Sequence, residues 1–330
     1  MLKINLVFRK PFPGSISIEY LFHTIQQRLV AIGVPTEKIE LPEYSKGLFK
    51  RLKNTLSLLK SKGEIVHVTG DVYYAILGAV FSKRIITYHD FSFLDRTSGL
   101  SHFILKLFWV TLPAKFAHHI TTVSQTTRTA LLKEVKIDEA KVTVIENFID
   151  PIFQPVSRDF NTKKPRILQV GTSFNKNLSS LIVALQDLNC TLVIIGKLED
   201  PQLELLKKHQ LDYENYHALN LEQLHTEYLK ADLLTFISTV EGFGMPILEA
   251  QACGLPVVTS NVSAMPEVAG KGVILVNPNE IAALKKGIKT CIDNTELRNQ
   301  LVAAGYENVK RFNIDVVTEK YRMLYQNLSR

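Results

Sequence analysis

The chain of 330 residues has few cysteines and no long apolar run. Its three cysteines, Cys190, Cys253 and Cys291, are far apart and never form a C-x-x-C pair. The sequence therefore supports neither a disulfide framework nor a zinc site. No apolar run approaches the roughly 20 residues of a membrane-spanning helix, and the N-terminus lacks a small-residue cleavage site. These absences favour a protein of the reducing cytoplasm.

An excess of basic residues is confined to one half of the chain. Residues 1–155 contain 20 Lys and Arg against 13 Asp and Glu, whereas residues 156–330 contain 19 of each. A basic half implies an anionic partner, such as a phospholipid surface, a phosphorylated lipid carrier or an acidic glycan. No helix-turn-helix, RNA-binding or zinc-finger signature accompanies the charge, so no nucleic-acid partner is expected.

Short apolar strand patterns alternate with helical patterns along the chain. This alternation predicts α/β structure with doubly wound parallel sheets, and the length favours two domains. Residues 146–165 carry three prolines and many polar side chains, as a linker does. We therefore expect an N-terminal domain over 1–155 and a C-terminal domain over 156–313. The predicted strands are Lys3–Phe8, Ile65–Thr69, Arg84–Tyr88, His119–Val123, Val142–Ile145, Arg166–Val170, Thr191–Ile195, Asp232–Ile237, Pro256–Thr259 and Gly272–Val276.

The most informative segment is EGFGMPILEAQACGLPVV, which begins at Glu241. Its glycines predict a tight turn that leads into a helix, with Pro246 in the first turn, where a missing N–H costs nothing. The exposed N–H groups and the helix dipole suit an anion. Glu241 and Glu249 are poor phosphate ligands, so hydroxyl groups are their expected partners. Together these features predict a polyhydroxylated, phosphorylated ligand.

This segment resembles the signature of the retaining family-4 glycosyltransferases, in which two glutamates are separated by seven residues. The resemblance implies the GT-B fold, two Rossmann-like domains that face a cleft, with the final helix (about 314–330) packed back on the N-terminal domain. It also implies a hexosyltransferase-type enzyme that moves a sugar from a nucleotide-diphosphate-sugar to an acceptor hydroxyl with retention of configuration. The C-terminal domain would bind the donor and the N-terminal domain the acceptor.

The resemblance also implies roles for individual residues. Glu249 would bind the ribose hydroxyls, Lys176 would neutralise the leaving diphosphate, and Glu241 would hold the donor sugar. Lys176 follows a strand and a glycine, and as a compact cation it can reach a diphosphate, although a lone lysine can also be a solvated surface residue. The family's loop arginine is absent here, and only one glycine stands in its first glycine-rich loop. Lys176 and Glu241 are thus candidate catalytic residues. The predicted donor-binding residues are Glu249, Gly242, Phe243, Gly244, Met245, Pro246, Gly171, Thr172 and Gly14.

A second group of polar residues follows the predicted strands of the first half. His89 and Asp90 come directly after one strand, at the end where ligands of open α/β sheets bind. In the similar family a histidine at this place lies near the donor sugar, so His89 is a candidate catalytic residue. Alternatively, His89 and Asp90 only cap the strand and the following turn. His67 is expected to pack inside the sheet, with a role in the site as the alternative. The residues predicted to lie on the acceptor side are Asp90, Thr69, Gly70 and Asp71.

Two segments of the first half combine apolar and basic residues. Leu48, Leu52, Leu56 and Leu59 recur at helical spacing among lysines. This pattern predicts a surface helix that packs its leucines on the sheet, or a helix that rests on an anionic membrane. The aromatic segment 102–116 is expected to form a buried helix, with a lipid contact as the alternative.

The predicted function is sugar transfer to a glycan or lipid-linked acceptor in envelope polysaccharide or lipopolysaccharide synthesis. No D-x-D motif is present, so no metal and no cofactor are expected. Peripheral attachment to the inner face of a membrane follows as a hypothesis from the basic half. The alternatives are a nucleotide-sugar epimerase and a non-catalytic nucleotide-sugar-binding protein on the same fold. An oxidoreductase would need the glycine fingerprint after the first strand, which is absent.

Overall fold

The computed structural model describes residues 3–11, 17–61, 63–95, 97–156 and 159–329. The chain forms two units, Met1–Phe148 with Ile314–Arg330, and Ile149–Asn313. Phe148 packs in a core cluster of the first unit and Phe153 in a cluster of the second. The division at Phe148 therefore lies seven residues before the predicted boundary, because the linker's own aromatic residues are taken up by the two cores.

Each unit is built on a parallel sheet. Among the described residues, the first sheet has six strands in the order β2-β1-β3-β4-β5-β6, and the second has six in the order β12-β11-β10-β7-β8-β9. The prediction of two Rossmann-like α/β domains is confirmed. The strands are β1 (Ile4–Phe8), β2 (Thr36–Glu40), β3 (Ile65–Val68), β4 (Lys83–Tyr88), β5 (His119–Thr122), β6 (Val142–Val144), β7 (Arg166–Val170), β8 (Thr191–Ile195), β9 (Asp212–Tyr216), β10 (Leu233–Phe236), β11 (Val257–Ser260) and β12 (Ile274–Val276).

Helices cover both faces of each sheet, as crossover connections between parallel strands require. Short 3₁₀ turns lie at Leu58–Lys60, Tyr73–Gly78, Glu139–Lys141, Phe174–Lys176 and Lys310–Phe312, and a π-helical segment spans Lys106–Thr111. The α-helices are α1 (Ser17–Ala31), α2 (Leu48–Ser57), α3 (Ser92–Asp95), α4 (Gly99–Leu105), α5 (Leu112–Phe116), α6 (Gln125–Glu134), α7 (Leu178–Leu185), α8 (Asp200–Lys208), α9 (Leu221–Lys230), α10 (Met245–Ala252), α11 (Met265–Ala269), α12 (Ile281–Asp293), α13 (Thr295–Val309) and α14 (Ile314–Ser329).

Helix α14 belongs to the first unit although it ends the chain. Ile314, Val317 and Tyr321 are buried on its inner face, in the same core cluster as Phe22 of α1 and Ile4 of β1. The apolar period of three to four residues along 314–325 accounts for this burial, since it puts these side chains on one helix face.

Each sheet has one point where the crossovers run in opposite directions from two neighbouring strands. In the first unit this switch point lies between β1 and β3, and in the second between β7 and β10. Loops that leave the carboxyl ends of such strands diverge and leave a crevice, which is where open α/β sheets bind ligands. Lys176 and Glu241 stand in the loops that follow the two strands of the second switch point.

Two predictions about the first unit are wrong. The four leucines Leu48, Leu52, Leu56 and Leu59 do not pack on the sheet but are 77%, 51%, 50% and 40% exposed. In α2 only Asn54 is buried, and it bonds the backbone of Glu43 and the Tyr74 hydroxyl. The segment 102–116 is not one buried helix, because α4 has no buried residue and burial begins at Val110. Within the described residues, no helix is both long and apolar enough to cross a bilayer.

Candidate donor and acceptor sites

The turn between β10 and α10 is shaped by glycine. Gly244 immediately precedes α10 and has φ of +112°, a conformation that L side chains rarely adopt. Pro246 stands in the first turn of the helix, where it removes no intrahelical hydrogen bond. Met245 is the first residue of the helix. The turn therefore brings the chain from the strand end directly into the positive dipole end of a helix, in whose first turn Ile247 donates to the Gly244 carbonyl at 3.1 Å.

Lys176 and Glu241 meet at the switch point of the second unit. The Lys176 ammonium donates to Glu241 Oε1 at 2.6 Å and lies 4.7 Å from the centre of the Phe236 ring. Asn175 donates to the same carboxylate oxygen at 3.1 Å. Both partners are largely shielded, with 20% and 16% of their side-chain surface exposed. The site thus holds a preformed cation beside a carboxylate, both at the edge where β7 and β10 end.

Ser263 holds the backbone of Glu241. The amide of Glu241 donates to Ser263 Oγ at 3.1 Å, and the Ser263 hydroxyl donates to the Glu241 carbonyl at 2.6 Å. These two bonds fix the main chain at the point where the glycine turn begins. The orientation of the Glu241 side chain is therefore supported from the backbone as well as from Lys176 and Asn175.

Gly171 makes room for the lysine. Its φ is +93°, and a Cβ at this position would stand 2.9 Å from two methylene carbons of Lys176. Thr172, the next residue, donates its hydroxyl to the Lys197 carbonyl at 2.7 Å and accepts from Gln202 through its own carbonyl. The loop after β7 is thereby tied to the loop after β8, which limits the positions that Lys176 can take.

Glu249 lies on α10, half-buried, in a different environment from Glu241. Its Oε2 accepts a hydrogen bond of 2.6 Å from the Tyr228 hydroxyl. Burial raises the pKa of Glu249 to about 7, although the Tyr228 hydrogen bond and the charge of Lys176 act to lower it. Two carboxylates at one edge thus differ chemically, since one is ion-paired and the other is bonded to a neutral phenol.

The remaining predicted donor residues have diverse surroundings. Gly242 belongs to the same turn. The side chain of Phe243 is buried and packs edge-on against Phe312 with ring centres 5.7 Å apart. Its side chain is therefore not available to a ligand. Gly14 lies outside the described residues.

In the first unit, His89 is oriented by the strand next to its own. Its Nε2 is 2.8 Å from the carbonyl of Thr69, and a carbonyl only accepts, so Nε2 carries the hydrogen. Burial lowers the pKa of His89, so the ring is neutral near pH 7 and Nδ1 bears a lone pair. Nδ1 can therefore accept a hydrogen bond from a hydroxyl group, and a contact of His89 with a sugar stays a prediction.

The other predicted acceptor-side residues make contacts within the first unit. Asp71 accepts from the guanidinium of Arg9 at 2.8 Å, and Glu19 accepts from the same guanidinium. Asp90 Oδ1 caps α3, since it accepts from the amide and hydroxyl of Ser92 at 2.9 and 2.7 Å. The capping alternative for Asp90 is thus realised through Oδ1, while a role in acceptor binding stays a prediction for both aspartates.

Thr69 and Gly70 are buried at the end of β3. The Thr69 hydroxyl donates to the carbonyl of Val7 at 2.9 Å. The side chain of Thr69 therefore ties β3 to β1, and its carbonyl is the group that orients His89. The first unit thus uses Thr69 to support the edge of the sheet rather than presenting its hydroxyl to the crevice.

His67 is structural, as the sequence predicts. It is fully buried, with Nδ1 2.7 Å from the Tyr325 hydroxyl and Nε2 2.7 Å from Thr87 Oγ1. Burial lowers its pKa to about 3, so it stays neutral at physiological pH. Its contacts with Tyr325 connect α14 to the first sheet.

Four residues that matter to the geometry were not among the predicted site residues: Arg9, Asn175, Tyr228 and Ser263. Arg9 and Asn175 adjoin strand ends, so the strand pattern could have suggested them. Tyr228 lies on α9, 21 residues before Glu249, and no local spacing points to it. Among the described residues, no three His, Cys, Asp or Glu side chains are grouped so as to hold a metal ion.

Comparison with known proteins identifies the family. The family model of the glycosyl transferases group 1 matches residues 152–308, and that of glycosyltransferase family 4 matches residues 21–153. The chain belongs to glycosyltransferase family 4. The two matches meet at residues 152 and 153, near the division between the two units.

Two of the curated proteins that match the chain are named O-antigen chain mannosyltransferases. The O-antigen chain mannosyltransferase RfbU of Salmonella typhimurium is 27% identical over 246 residues, which are 71% of this chain and 66% of RfbU. O-antigen chain mannosyltransferase B of Escherichia coli is 38% identical over 103 residues, which are 31% of this chain and 27% of that protein. The chain thus spans less than two thirds of the length of these curated relatives.

Two solved structures share the fold over nearly the full length of the chain. A glycosyltransferase from Rickettsia africae superposes with a TM-score of 0.80 at 20% identity and covers 100% of this chain and 99% of its own. HepE of Anabaena, solved in complex with UDP and glucose, gives a TM-score of 0.80 at 16% identity. The superposition covers 99% of this chain and 100% of HepE. At these identities the likeness establishes the GT-B fold.

Proposed function

We propose that this family member is a retaining glycosyltransferase. It would transfer a sugar from a nucleotide-diphosphate-sugar to a hydroxyl of a glycan or glycolipid acceptor in envelope polysaccharide synthesis. The observation that carries the proposal is the arrangement of Lys176, Glu241 and Glu249 around one helix start at the switch point of the second unit.

The names of relatives support the choice of donor and acceptor class. RfbU and the Escherichia coli protein are named O-antigen chain mannosyltransferases, and HepE was solved with UDP and glucose. A nucleotide-sugar donor and an envelope glycan acceptor are therefore the first substrates to test.

In the proposed reaction Lys176 exchanges its partner. Without a ligand its ammonium is neutralised by Glu241. When a diphosphate arrives, Lys176 and the positive dipole end at the start of α10 stabilise the charge that develops on the leaving phosphate. Glu241 then accepts hydrogen bonds from hydroxyls of the donor sugar, and Glu249 accepts them from the ribose.

Retention is proposed to occur without a covalent intermediate on the protein. The acceptor hydroxyl attacks the anomeric carbon from the face that the diphosphate leaves, and the departing phosphate oxygen takes its proton. His89, neutral and with Nδ1 as an acceptor, would hold a sugar hydroxyl during this step. The proposed mechanism uses no metal and no cofactor.

The test is to incubate the purified protein with radiolabelled UDP- and GDP-sugars, alone and with a lipid-linked or free glycan acceptor. Acceptor-dependent labelled product with the donor's anomeric configuration, read by NMR, is the expected result. Conversion of the donor sugar without acceptor would instead establish the epimerase. Donor binding without any conversion would establish the binding protein.

We also propose that the first unit contacts an anionic membrane through what we call the basic-apolar surface, formed by α2 and the segment 99–111. Arg51 of α2 stacks 4.5 Å from the centre of the Trp109 ring, so the two segments are neighbours. Large apolar side chains are exposed on both, with Phe49 86% and Phe103 60% exposed. Such helices bind bilayers through exposed apolar groups and attraction of lysine and arginine to acidic headgroups. The basic residues of the surface are Lys50, Arg51, Lys53 and Lys106.

Vesicle co-sedimentation tests this surface. We expect the protein to pellet with vesicles that contain phosphatidylglycerol, less so with pure phosphatidylcholine, and to lose binding in Phe49→Glu. The control is Phe174→Glu, because Phe174 is 99% exposed but lies in the second unit. Equal binding of Phe49→Glu and the native protein would reject the surface.

A further inference from the structure

The two oxygens of the Glu249 carboxylate are not equivalent. Oε2 accepts from the Tyr228 hydroxyl at 2.6 Å, the short distance expected when an O–H donates to a carboxylate. Oε1 accepts from no described residue and is not among the fully buried oxygens that lack a partner. One oxygen is therefore engaged inside the protein, and the other remains available to a ligand.

Tyr228 is held rigidly enough to set the position of this carboxylate. Its side chain is fully buried in the core cluster of the second unit. Phe153 packs edge-on against the ring with centres 5.4 Å apart. The helix that carries Tyr228, α9, begins with a reciprocal capping box between Asn220 and Gln223, which fixes its first turn. The phenol hydroxyl thus has little freedom to follow Glu249 if the carboxylate turns.

We propose that Tyr228 is a positioning residue for nucleotide binding: its hydroxyl holds Oε2 of Glu249 so that Oε1 is presented to the ribose hydroxyls of the donor. This inference rests on the proposed function, because it takes Glu249 as the ribose ligand. Tyr228 itself touches no substrate in this account. Its effect passes only through the orientation and charge of Glu249.

The charge of Glu249 depends on several elements packed around it. Tyr228 faces it from α9, Lys176 from the loop after β7, and Asp150 from the segment that follows Phe148. Tyr228 and Lys176 lower the pKa of Glu249, whereas burial and Asp150 raise it. Removal of the Tyr228 hydroxyl must therefore raise this pKa further, and the carboxylate then accepts a proton at a higher pH.

The experiment is a titration of UDP and GDP, and of their 2′,3′-dideoxy counterparts, into the native protein and Tyr228→Phe between pH 6 and 9. We expect Tyr228→Phe to bind the ribose nucleotide about tenfold more weakly, as for the loss of one hydrogen bond to a charged group. The midpoint of the pH dependence should move to higher pH. For the dideoxy nucleotide, native protein and variant should agree within about twofold, because no hydroxyl remains for Oε1 to bind.

Tyr325→Phe is the matched control. Tyr325 is equally buried and its hydroxyl is 2.7 Å from His67, but it lies in the first unit. It should leave nucleotide affinity and its pH midpoint unchanged. Phe153→Leu provides a second variant, since it loosens the Tyr228 ring without removing the hydroxyl, and it should weaken ribose but not dideoxy ligands.

The outcomes separate this inference from the proposed function. If the native protein binds none of the four nucleotides, the proposed function fails and the inference fails with it. If the native protein binds and Tyr228→Phe is unchanged, only the inference fails. A loss of equal size for ribose and dideoxy ligands would also overturn it, because that result describes general damage to the core.

Discussion

Both units place a cation after their first strand and a carboxylate after the strand across the switch point. In the first unit these are Arg9 and Asp71, 2.8 Å apart, and in the second they are Lys176 and Glu241, 2.6 Å apart. The surroundings of the two pairs differ. Arg9 is also held by Glu19, whereas the described carboxylate contact of Lys176 is Glu241 alone.

This difference indicates which unit is prepared for a phosphate. The charge of a guanidinium that is paired with two carboxylates is already neutralised. Its planar set of N–H donors also favours bonds to partners in fixed positions. An ammonium with one carboxylate can rotate toward a new anion at small cost, since lysine is a compact charge on a flexible stem. In addition, a glycine turn and a helix start follow Glu241, whereas the 3₁₀ turn Tyr73–Gly78 follows Asp71.

The largest effect is expected from Lys176→Ala. Loss of one preorganised group that stabilises transition-state charge typically costs about 10² to 10³ in rate. We therefore expect kcat/KM for sugar transfer to fall by about that factor, with the fold intact by circular dichroism. The control is Lys285→Ala, which breaks another ion pair of 2.6 Å, with Asp187, in the same unit. Equal losses in the two variants would contradict a specific role for Lys176.

Next in size is Glu249→Gln. Replacement of a charged acceptor by an amide should weaken binding of a nucleoside diphosphate by about 10-fold or more at pH 8. Because the pKa of Glu249 is raised to about 7, native affinity should also decline as the pH falls through 7. In Glu249→Gln that decline should vanish, and its persistence in a calorimetric titration would assign the titration to another group.

Glu249→Gln should also change the free energy of unfolding. Whereas the substitution weakens nucleotide binding, it should make the folded state more stable at higher pH. A carboxyl group whose folded pKa of about 7 exceeds its ordinary 4.5 favours the folded state only while it is protonated. Its stabilising contribution is complete below pH 4.5 and is lost as the pH rises to about 7. The difference in free energy of unfolding between the variant and the native protein should therefore rise by about 2 kcal/mol from about pH 5 to about pH 8, in favour of the variant. Urea denaturation at both pH values measures this gain.

A smaller loss is expected from Gly171→Ala. Alanine disfavours a φ of +93°, and its Cβ would displace the stem of Lys176. Strain of this kind destabilises the fold by about 1–2 kcal/mol. Because the added Cβ displaces Lys176, we also expect nucleoside diphosphate affinity to fall by roughly tenfold, as for one lost interaction with a charged group. Gly33→Ala is a matched control, since Gly33 has φ of +80° and open space where a Cβ would stand, but lies in the first unit. It should destabilise the fold without changing affinity.

Asp71→Asn should have the smallest effect on nucleotide binding. It should also distinguish the role of the first unit from that of the second. It removes one of two carboxylates from Arg9 and leaves the second unit untouched. Nucleotide affinity should stay within about twofold, because an exposed ion pair contributes at most about 1 kcal/mol to local structure. A rise in KM for the acceptor alone is expected in steady-state kinetics. A tenfold loss of nucleotide affinity in Asp71→Asn would contradict the assignment of donor binding to the second unit.

The sequence predicts the buried strands well because they are continuous apolar runs. Arg166–Val170 and Thr191–Ile195 are predicted with their observed bounds. Two strands are missed, β2 (TEKIE) and β9 (DYENY), and both lie at a sheet edge. An edge strand is paired on one side only and is largely solvated, so its sequence carries polar residues that resemble a loop.

Some residues of the candidate site can be predicted from the sequence and others cannot. Residues that adjoin strand ends, such as Lys176 and Glu241, can be assigned to one edge because parallel strands end together. Tyr228 cannot, because its contact with Glu249 depends on how α9 packs beside α10. The exposure of Leu48 and Phe49 also cannot be predicted from the sequence, because an amphipathic pattern does not indicate what covers the apolar face of a helix.

The most direct test of the donor site compares a nucleoside diphosphate with its monophosphate, titrated into the native protein and Lys176→Ala by calorimetry. The nucleotide should be whichever of UDP and GDP the native protein binds. If Lys176 meets the diphosphate, the native protein should prefer the diphosphate and Lys176→Ala should lose that preference, with monophosphate affinity unchanged. An undiminished preference in Lys176→Ala would contradict the account, because the phosphate would then be held elsewhere.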